Sequence, residues 1–280
     1  MSIKAVTDFL VKLALAEDVG RGDVTTRAIV AKEQKAKAVI TAKEAGVIAG
    51  LPVAADAFRH VDPRIKFSPK VKDGAMVKKG KIIAILRGPA RGILTGERVA
   101  LNFLQHLSGI ATMTSRFAAK VKSQKSKVKI LDTRKTIPGL RLLEKYAVKM
   151  GGGVNHRLGL YDAILIKDNH IKLAGGIEKA VESVRDEGRG VRVVEVEAST
   201  VSEVQRAIAV GADRILLDNM KPKAMRAAVK LCRKAGVKTE ASGGVGLNNV
   251  AAVARTGVDF ISVGALTHSA PALDINLKIV

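Results

Sequence analysis

The chain has 280 residues, 47% hydrophobic and 26% charged, which suits one large α/β domain or one with a smaller companion and excludes disorder, a collagen-like repeat or a disulfide scaffold. Lys and Arg number 48 against 26 Asp and Glu, a formal net charge of +22, so an anionic partner must be considered, nucleic acid first. Aromatic residues are only 3%, with no Trp and two Tyr, and the charge follows no single motif, which argues against nucleic acid as the partner.

In chain order, Phe9-Leu10-Val11-Lys12-Leu13-Ala14-Leu15 is interrupted by Lys12, preceded by Asp8 and followed by Glu17-Asp18. It predicts an amphipathic helix rather than a signal sequence. No apolar run approaches the ~20 residues of a spanning helix, so the expectation is a cytoplasmic chain with no membrane partner. A strand is predicted near Ala38 to Val47 and a helix near 51–60. Asp73-Gly74 and Gly80 within Val71 to Leu86 predict short strands joined by tight turns. This first part reads as an α+β companion domain, and Gly96 to about Ser123 as a long helical connector broken at Gly109.

From about residue 125 apolar, β-branched runs alternate with helical stretches. The strands read Lys129 to Asp132, Ala163 to Lys167, Val193 to Glu197, Arg214 to Asp218, Val237 to Ala241 and Phe260 to Gly264. Helices are predicted at about 139–150, 171–188, 200–210, 221–235 and 246–256. Strands separated by helices of this length mean βαβ units and a parallel sheet. A possible seventh strand lies around Val154-Asn155-His156, still fewer than the eight of a full barrel. No G-x-G-x-x-G opens the first unit, so an incomplete α/β barrel is favoured over a doubly wound sheet. Cys232, the one cysteine, reads as a small buried hydrophobe.

Several runs end in a polar residue: Asp132, Lys167, Glu197, Asp218 and Ser242. A barrel of βα units builds its active site at that C-terminal rim. Arg134 and Lys135 put a planar fork and a mobile point charge on one rim loop, suited to carboxylate or phosphate. Gly151-Gly152-Gly153 leads into Asn155, His156 and Arg157 just ahead of Lys167. Glu195 and Glu197, two apart on a strand, point to one side, and Asp218 ends the next strand. Glu197 and Asp218 suit Mg²⁺ or a ribose diol; alternatively one of them pairs with Lys167 or Arg134. Ser242-Gly243-Gly244 and Ser262-Val263-Gly264-Ala265 follow successive late strands, where such barrels bind phosphate. The substrate should therefore be multiply anionic and include a phosphosugar.

The runs Thr95 to Gln105, Asp132-Thr133-Arg134-Lys135-Thr136-Ile137-Pro138-Gly139-Leu140-Arg141, Gly151 to Arg157 and Ile166-Lys167-Asp168-Asn169-His170 resemble quinolinate phosphoribosyltransferase, the decarboxylating nicotinate-nucleotide pyrophosphorylase of NAD synthesis. So do Val194 to Glu197, Leu216 to Asn219, Glu240 to Gly244 and Ala270 to Asp274. The resemblance runs in order through almost the whole chain. It implies a pentosyltransferase that converts quinolinate and phosphoribosyl pyrophosphate to nicotinate mononucleotide, pyrophosphate and CO₂ in de novo NAD synthesis. The Thr-Arg-Lys-Thr, Asn-His-Arg and Lys-Asp-Asn-His set favours quinolinate over the nicotinate-using relatives of the same fold.

The implied architecture is an open α/β barrel at 105–269 and an N-terminal sandwich domain at 1–104, joined by the returning segment 270–280. The implied assembly is a homodimer or a dimer-based hexamer, in which Arg98 reaches the neighbouring subunit's site. Arg134, His156, Arg157 and Lys167 would line the quinolinate pocket with that Arg98. Lys135 and Lys167 would face pyrophosphate and the reacting centre, and Glu197 and Asp218 the ribose hydroxyls and Mg²⁺, directly or through water. Ser242, Gly243, Gly244, Gly264 and Ala265 would cradle the 5-phosphate. Lys135, Lys167, Glu197 and Asp218 are thereby the candidate catalytic residues.

Overall fold

The computed structural model describes residues 2–124, 126–186 and 193–280. Ser2 accepts the Ala5 N–H and Asp23 the Thr26 N–H, starting helices α1 (Ile3–Val19) and α2 (Val24–Ile29). The chain continues through β1 (Lys35–Ala42), β2 (Gly46–Val47), α3 (Leu51–Val61), β3 (Lys66–Pro69), β4 (Met76–Val77), β5 (Ile82–Pro89) and α4 (Ala90–Lys122). Next come β6 (Lys129–Leu131), α5 (Arg141–Met150), β7 (Ile164–Ile166), α6 (Asp168–Ala174), α7 (Ile177–Asp186), β8 (Val194–Ala198) and α8 (Val201–Ala209). The last elements are β9 (Arg214–Asp218), α9 (Pro222–Lys234), β10 (Lys238–Ser242), α10 (Val250–Ala254), β11 (Phe260–Ser262), α11 (Ala265–His268) and β12 (Ile275–Ile279). None of the described helices is long and apolar enough to cross a membrane.

These elements form two compact units: Met1–Ser115 with Thr136–Gly152 and Leu266–Val280, and Arg116–Lys135 with Gly153–Ala265. In the first, an antiparallel sheet of order β12-β1-β5-β3 stands beside the β2-β4 pair. Every second residue of β1, Ala38, Ile40 and Ala42, is fully buried, the period-two pattern of a strand with one covered face. α3 buries Leu51, Val53, Ala54, Ala57 and Phe58, and the Phe58 ring stacks on Phe67 of β3 with centroids 6.1 Å apart. The single strand predicted near 38–47 is two, because the chain turns at 43–45 before β2.

The expected break at Gly109 does not occur, since α4 runs unbroken through it. The glycine answers to packing: a Cβ there would fall on the Pro271 carbonyl oxygen of the returning C-terminal segment. That segment is tied to the same helix, the Leu273 N–H donating to the Gln105 carbonyl at 3.0 Å and the Gln105 amide to the Ile275 carbonyl at 2.7 Å. Gly109→Ala is therefore expected to destabilise the fold by about 3 kcal/mol, as overpacking against backbone does. Chemical denaturation would read it, and an unchanged midpoint would contradict the close approach.

The second unit holds one parallel sheet of order β6-β11-β10-β9-β8-β7, its strands the six runs anticipated from the sequence. The possible seventh, around Val154, is only an isolated bridge between Leu131 and Val154. Among the described residues β7 pairs with β8 alone, so the barrel is open on that side. One face of each strand is apolar: Val196, Ile215, Leu217, Ala241 and Ile261 are at most 1% exposed. The other face carries Glu195, Glu197, Arg214, Asp218, Glu240 and Ser242. The helix expected at 171–188 is two helices, beginning at Asp168 and parted by Gly175 and Gly176, whose φ values of 83° and 141° end α6. Its expected last residues, 187 and 188, lie outside the described residues. The helix expected at 246–256 is shorter, because Asn249 Oδ1 accepts the Gly246 N–H and holds that stretch as a turn before α10.

Candidate active site

Short strands with polar last residues bring the expected side chains to one rim of the second unit. Lys167 follows β7 and precedes α6, its backbone N–H donating to Nδ1 of His170 at 3.0 Å. Glu197 lies near the end of β8, while Asp218 and Ser242 end β9 and β10 as register partners. Burial, then the charge of Asp218, raise the Glu197 pKa above the usual carboxylate range, and the charge of Lys167 pulls it back. Lys167, Glu197 and Asp218 are thus one electrostatic unit, two anions and a cation.

Arg134 and Arg157 form a second group. Burial, then the charge of Arg134, lower the Arg157 pKa, so two guanidinium groups face each other's field. Arg157 Nη1 donates to the Ala163 carbonyl at 3.2 Å. Two planar forks so placed suit an anion with two carboxylates. Lys135 is exposed beside Arg134, its N–H donating to Thr133 Oγ1 at 3.0 Å.

His156 sits below these cations. The buried Asp132, at the end of β6, accepts the His156 N–H at 2.9 Å, which fixes the segment after the triple glycine. Nδ1 of the ring accepts the Arg157 N–H at 2.7 Å, so in the neutral ring the proton is on Nε2. Nε2 lies 3.2 Å from Glu195 Oε2 and 3.5 Å from Glu240 Oε1. Burial works against a charged ring, yet the hydrogen bond it donates to Glu195 and the charges of both carboxylates raise its pKa overall. Glu240 itself is raised by burial and then by the charge of Glu195.

These three side chains offer ligand atoms within 4.8 Å of one another and form a group that could hold a metal ion. A cation is already there: Arg214 Nη1 is 3.3 Å from Glu240 Oε2 and 3.9 Å from Glu195 Oε2, and its guanidinium carbon lies 4.3 Å from the centroid of the Phe260 ring.

The Ser242-Gly243-Gly244 turn has left-handed glycines, with φ of 91° and 59° at Gly243 and Gly244. Asn219, at φ 51°, is the described non-glycine residue with positive φ, a strained conformation of the kind found at functional sites. Its N–H donates to the Ser242 carbonyl at 2.9 Å and its amide to Asp218 Oδ2 at 2.8 Å. A side chain at Gly243 would collide with that amide. Asn219 thus ties the carboxylate of Asp218 to the glycine turn. Gly264 follows β11, and Ala265 opens α11.

Arg98 belongs to the first unit, exposed on α4 beside Glu97. Arg141, also there, donates from Nε to Thr136 Oγ1 at 3.0 Å. The residues that sequence reasoning passed over are Asn219, Arg214 and Glu240. Period two places Glu240 on the side of Ser242, a signal that was available for that residue. Arg214 opposes Glu195 only once the β8–β9 register is known.

Comparison with known proteins places these motifs in a family. The model for the quinolinate phosphoribosyl transferase N-terminal domain matches residues 23–108, and that for the C-terminal domain residues 110–278. A probable nicotinate-nucleotide pyrophosphorylase (carboxylating) of Bacillus subtilis is 47% identical over 263 residues, covering 94% of this chain and 90% of that protein. The chloroplastic nicotinate-nucleotide pyrophosphorylase (carboxylating) of Arabidopsis thaliana is 46% identical over 289 residues, covering 96% and 82%. The solved structure of the nicotinate-nucleotide pyrophosphorylase from Francisella tularensis superposes with a TM-score of 0.95 at 41% identity, covering 100% of this chain and 98% of that one.

Proposed function

Since the chain belongs to the quinolinate phosphoribosyltransferase family and is an enzyme of NAD biosynthesis with nicotinate-nucleotide pyrophosphorylase (carboxylating) activity, we propose that its barrel rim joins quinolinate to phosphoribosyl pyrophosphate. The observation that supports this is the pairing of two charge groups in one unit. The guanidiniums of Arg134 and Arg157 suit the two carboxylates of quinolinate. The Glu197, Asp218 and Lys167 group suits ribose hydroxyls and a departing pyrophosphate. Lys167 serves both halves, and His156 forms the floor of the quinolinate pocket. Ser242, Gly243, Gly244, Gly264 and Ala265 cradle the 5-phosphate with backbone N–H groups, in a turn whose Gly243 and Gly244 have left-handed φ values.

The pyridine nitrogen attacks C1 of the sugar as the C1–O bond to pyrophosphate breaks, through an oxocarbenium-like transition state. Positive charge grows on the ribose and negative charge on the leaving group. Lys135 and Lys167 neutralise the latter, and Glu197 and Asp218 orient the ribose hydroxyls, so each group is in place before the charge develops. The product pyridinium withdraws electrons from the carbon next to nitrogen, so its carboxylate leaves as CO₂ while the bonding pair stays on that carbon and takes a proton from water, giving nicotinate mononucleotide. This route uses no enzyme nucleophile; Cys232 is buried, with its thiol pushed up to about 11 mainly by burial.

The donor set fits Mg²⁺. Glu197 and Asp218 are two hard oxygen ligands close enough that one raises the pKa of the other, which a divalent cation relieves. When bound, Mg²⁺ supplies charge neutralisation to the pyrophosphate.

The reading also includes a homodimer or dimer-based hexamer in which Arg98 of a second copy closes on the quinolinate carboxylates, supported by its exposure on α4. It includes the division into 1–104 with 270–280 and 105–269; the family models meet close to its boundary, at residues 108 and 110, and the return of the C-terminal segment agrees with the first compact unit, which however also takes in Thr136–Gly152. It includes a cytoplasmic location.

The test is pyrophosphate release from phosphoribosyl pyrophosphate and Mg²⁺ with quinolinate or nicotinate as acceptor. Turnover is expected with quinolinate and equimolar CO₂. Turnover with nicotinate and none with quinolinate would overturn the substrate assignment.

A further inference from the structure

Beneath the rim lies a charged layer that the reaction scheme does not use. Glu195 of β8 faces Arg214 of β9 in register, and Glu240 of β10 lies diagonally across from the same arginine. The carboxyl side chains are 4% and 0% exposed. Burying two carboxylates is costly unless they are matched by cations or hydrogen-bond donors. Here the match is the Arg214 guanidinium on one side and the His156 ring on the other. Glu195 Oε1, Glu240 Oε1 and Arg214 Nε are each buried with no hydrogen-bond partner, so the group is held by few contacts and depends on each.

The ring of His156 has both nitrogens engaged within the chain. Nε2 points to the carboxylates, and Nδ1 accepts the N–H of Arg157. We infer that Glu195, Glu240 and Arg214 are positioning residues for quinolinate: they hold the ring of His156, and the ring holds the backbone of Arg157, whose guanidinium receives a substrate carboxylate. His156 then acts on the substrate through Arg157. Arg214 is itself set by the Phe260 ring and the two acids, so the chain of contacts starts from four neighbouring strands, β8, β9, β10 and β11. A rigid sheet is a better base for a binding group than the loop at 157–163 on which Arg157 lies. The inference rests on the quinolinate reading of the pocket.

Two amides of different length separate the two roles of His156. In His156→Asn the side-chain oxygen reaches the place of Nδ1 and accepts the Arg157 N–H. In His156→Gln the amide reaches the place of Nε2, able to donate but leaving the Arg157 N–H without its acceptor. Steady-state kinetics with quinolinate and phosphoribosyl pyrophosphate varied in turn are expected to show the KM for quinolinate raised in both, about tenfold in His156→Asn, which keeps the acceptor for Arg157 but loses the carboxylates, and at least severalfold further in His156→Gln. Glu195→Gln and Glu240→Gln keep the shape and remove the charge. Each is expected to raise the KM for quinolinate about tenfold, with kcat and the KM for phosphoribosyl pyrophosphate within threefold. The second substrate's KM reports that the fold is intact.

A better-preserved KM in His156→Gln than in His156→Asn would overturn the inference in favour of direct contact by Nε2. So would glutamine variants at 195 and 240 that bind quinolinate as wild type does, or that lose both substrates equally. If a glutamine variant does not fold, the asparagine and glutamine pair at 156 decides. A wild-type enzyme with no quinolinate turnover would instead sink the assignment of the pocket.

Discussion

Lys167→Ala is expected to lower kcat by about 10²–10³-fold while leaving the melting temperature within a degree or two of wild type, the size of loss seen when one preorganised charge-stabilising group is removed. Lys167 is exposed at the end of a strand, and its backbone is held by His170 rather than by its own side chain. Folding therefore does not depend on the ammonium. Its charge is felt by Glu197 across the rim, which supports the role proposed for it beside the departing pyrophosphate. Lys167→Arg keeps the charge but replaces a compact ammonium by a planar fork, and should recover only part of the loss. Turnover by Lys167→Ala within twofold of wild type would remove Lys167 from the reaction.

Asp218→Ala is expected to reduce kcat/KM for phosphoribosyl pyrophosphate by roughly 100-fold or more and to raise the Mg²⁺ concentration at half activity. Two consequences combine. One of the two proposed oxygen ligands is lost, and the Asn219 amide loses its acceptor at the point where that strained residue joins the glycine turn. Asp218→Asn keeps an acceptor for Asn219 and tests the charge alone. Pyrophosphate release titrated with Mg²⁺ would separate the variants: Asn219 anchoring alone predicts that Asp218→Asn behaves as wild type, and ligation predicts that it resembles Asp218→Ala. Unaltered Mg²⁺ dependence in both would exclude Asp218 as a ligand.

Much of the second unit was legible because its signals are local. Apolar, β-branched runs such as Arg214-Ile215-Leu216-Leu217-Asp218 end in one polar residue, and in a parallel sheet of βα units that residue must reach the rim. Glycine was harder to interpret. Gly109 looks like a helix break from its propensity, yet the helix passes through it because the C-terminal segment needs the space of a missing Cβ. Gly175-Gly176 does end a helix, within a stretch that periodicity alone joins into one. The difference between them is what lies opposite, which propensity does not contain.

The net charge of +22 was likewise a weak guide, since most of its lysines lie away from every motif. The cations proposed to meet the substrates, Arg134, Lys135, Arg157 and Lys167, were singled out from their place after strands or, for Arg157, after the triple glycine.

The sequence by itself determined the family, the reaction class, the strands of the open barrel and the residues at its rim, all of which follow from local pattern and ordered motifs. Tertiary structure alone decided what lies under the rim. Lys238-Thr239-Glu240-Ala241-Ser242 is polar at four of its five positions and would suit an exposed strand equally well. Only register with β9 and β11 sets Glu240 inside the barrel against Arg214 and His156. Those pairings join residues far apart in the chain, and a buried charge is tolerable only where such a partner arrives.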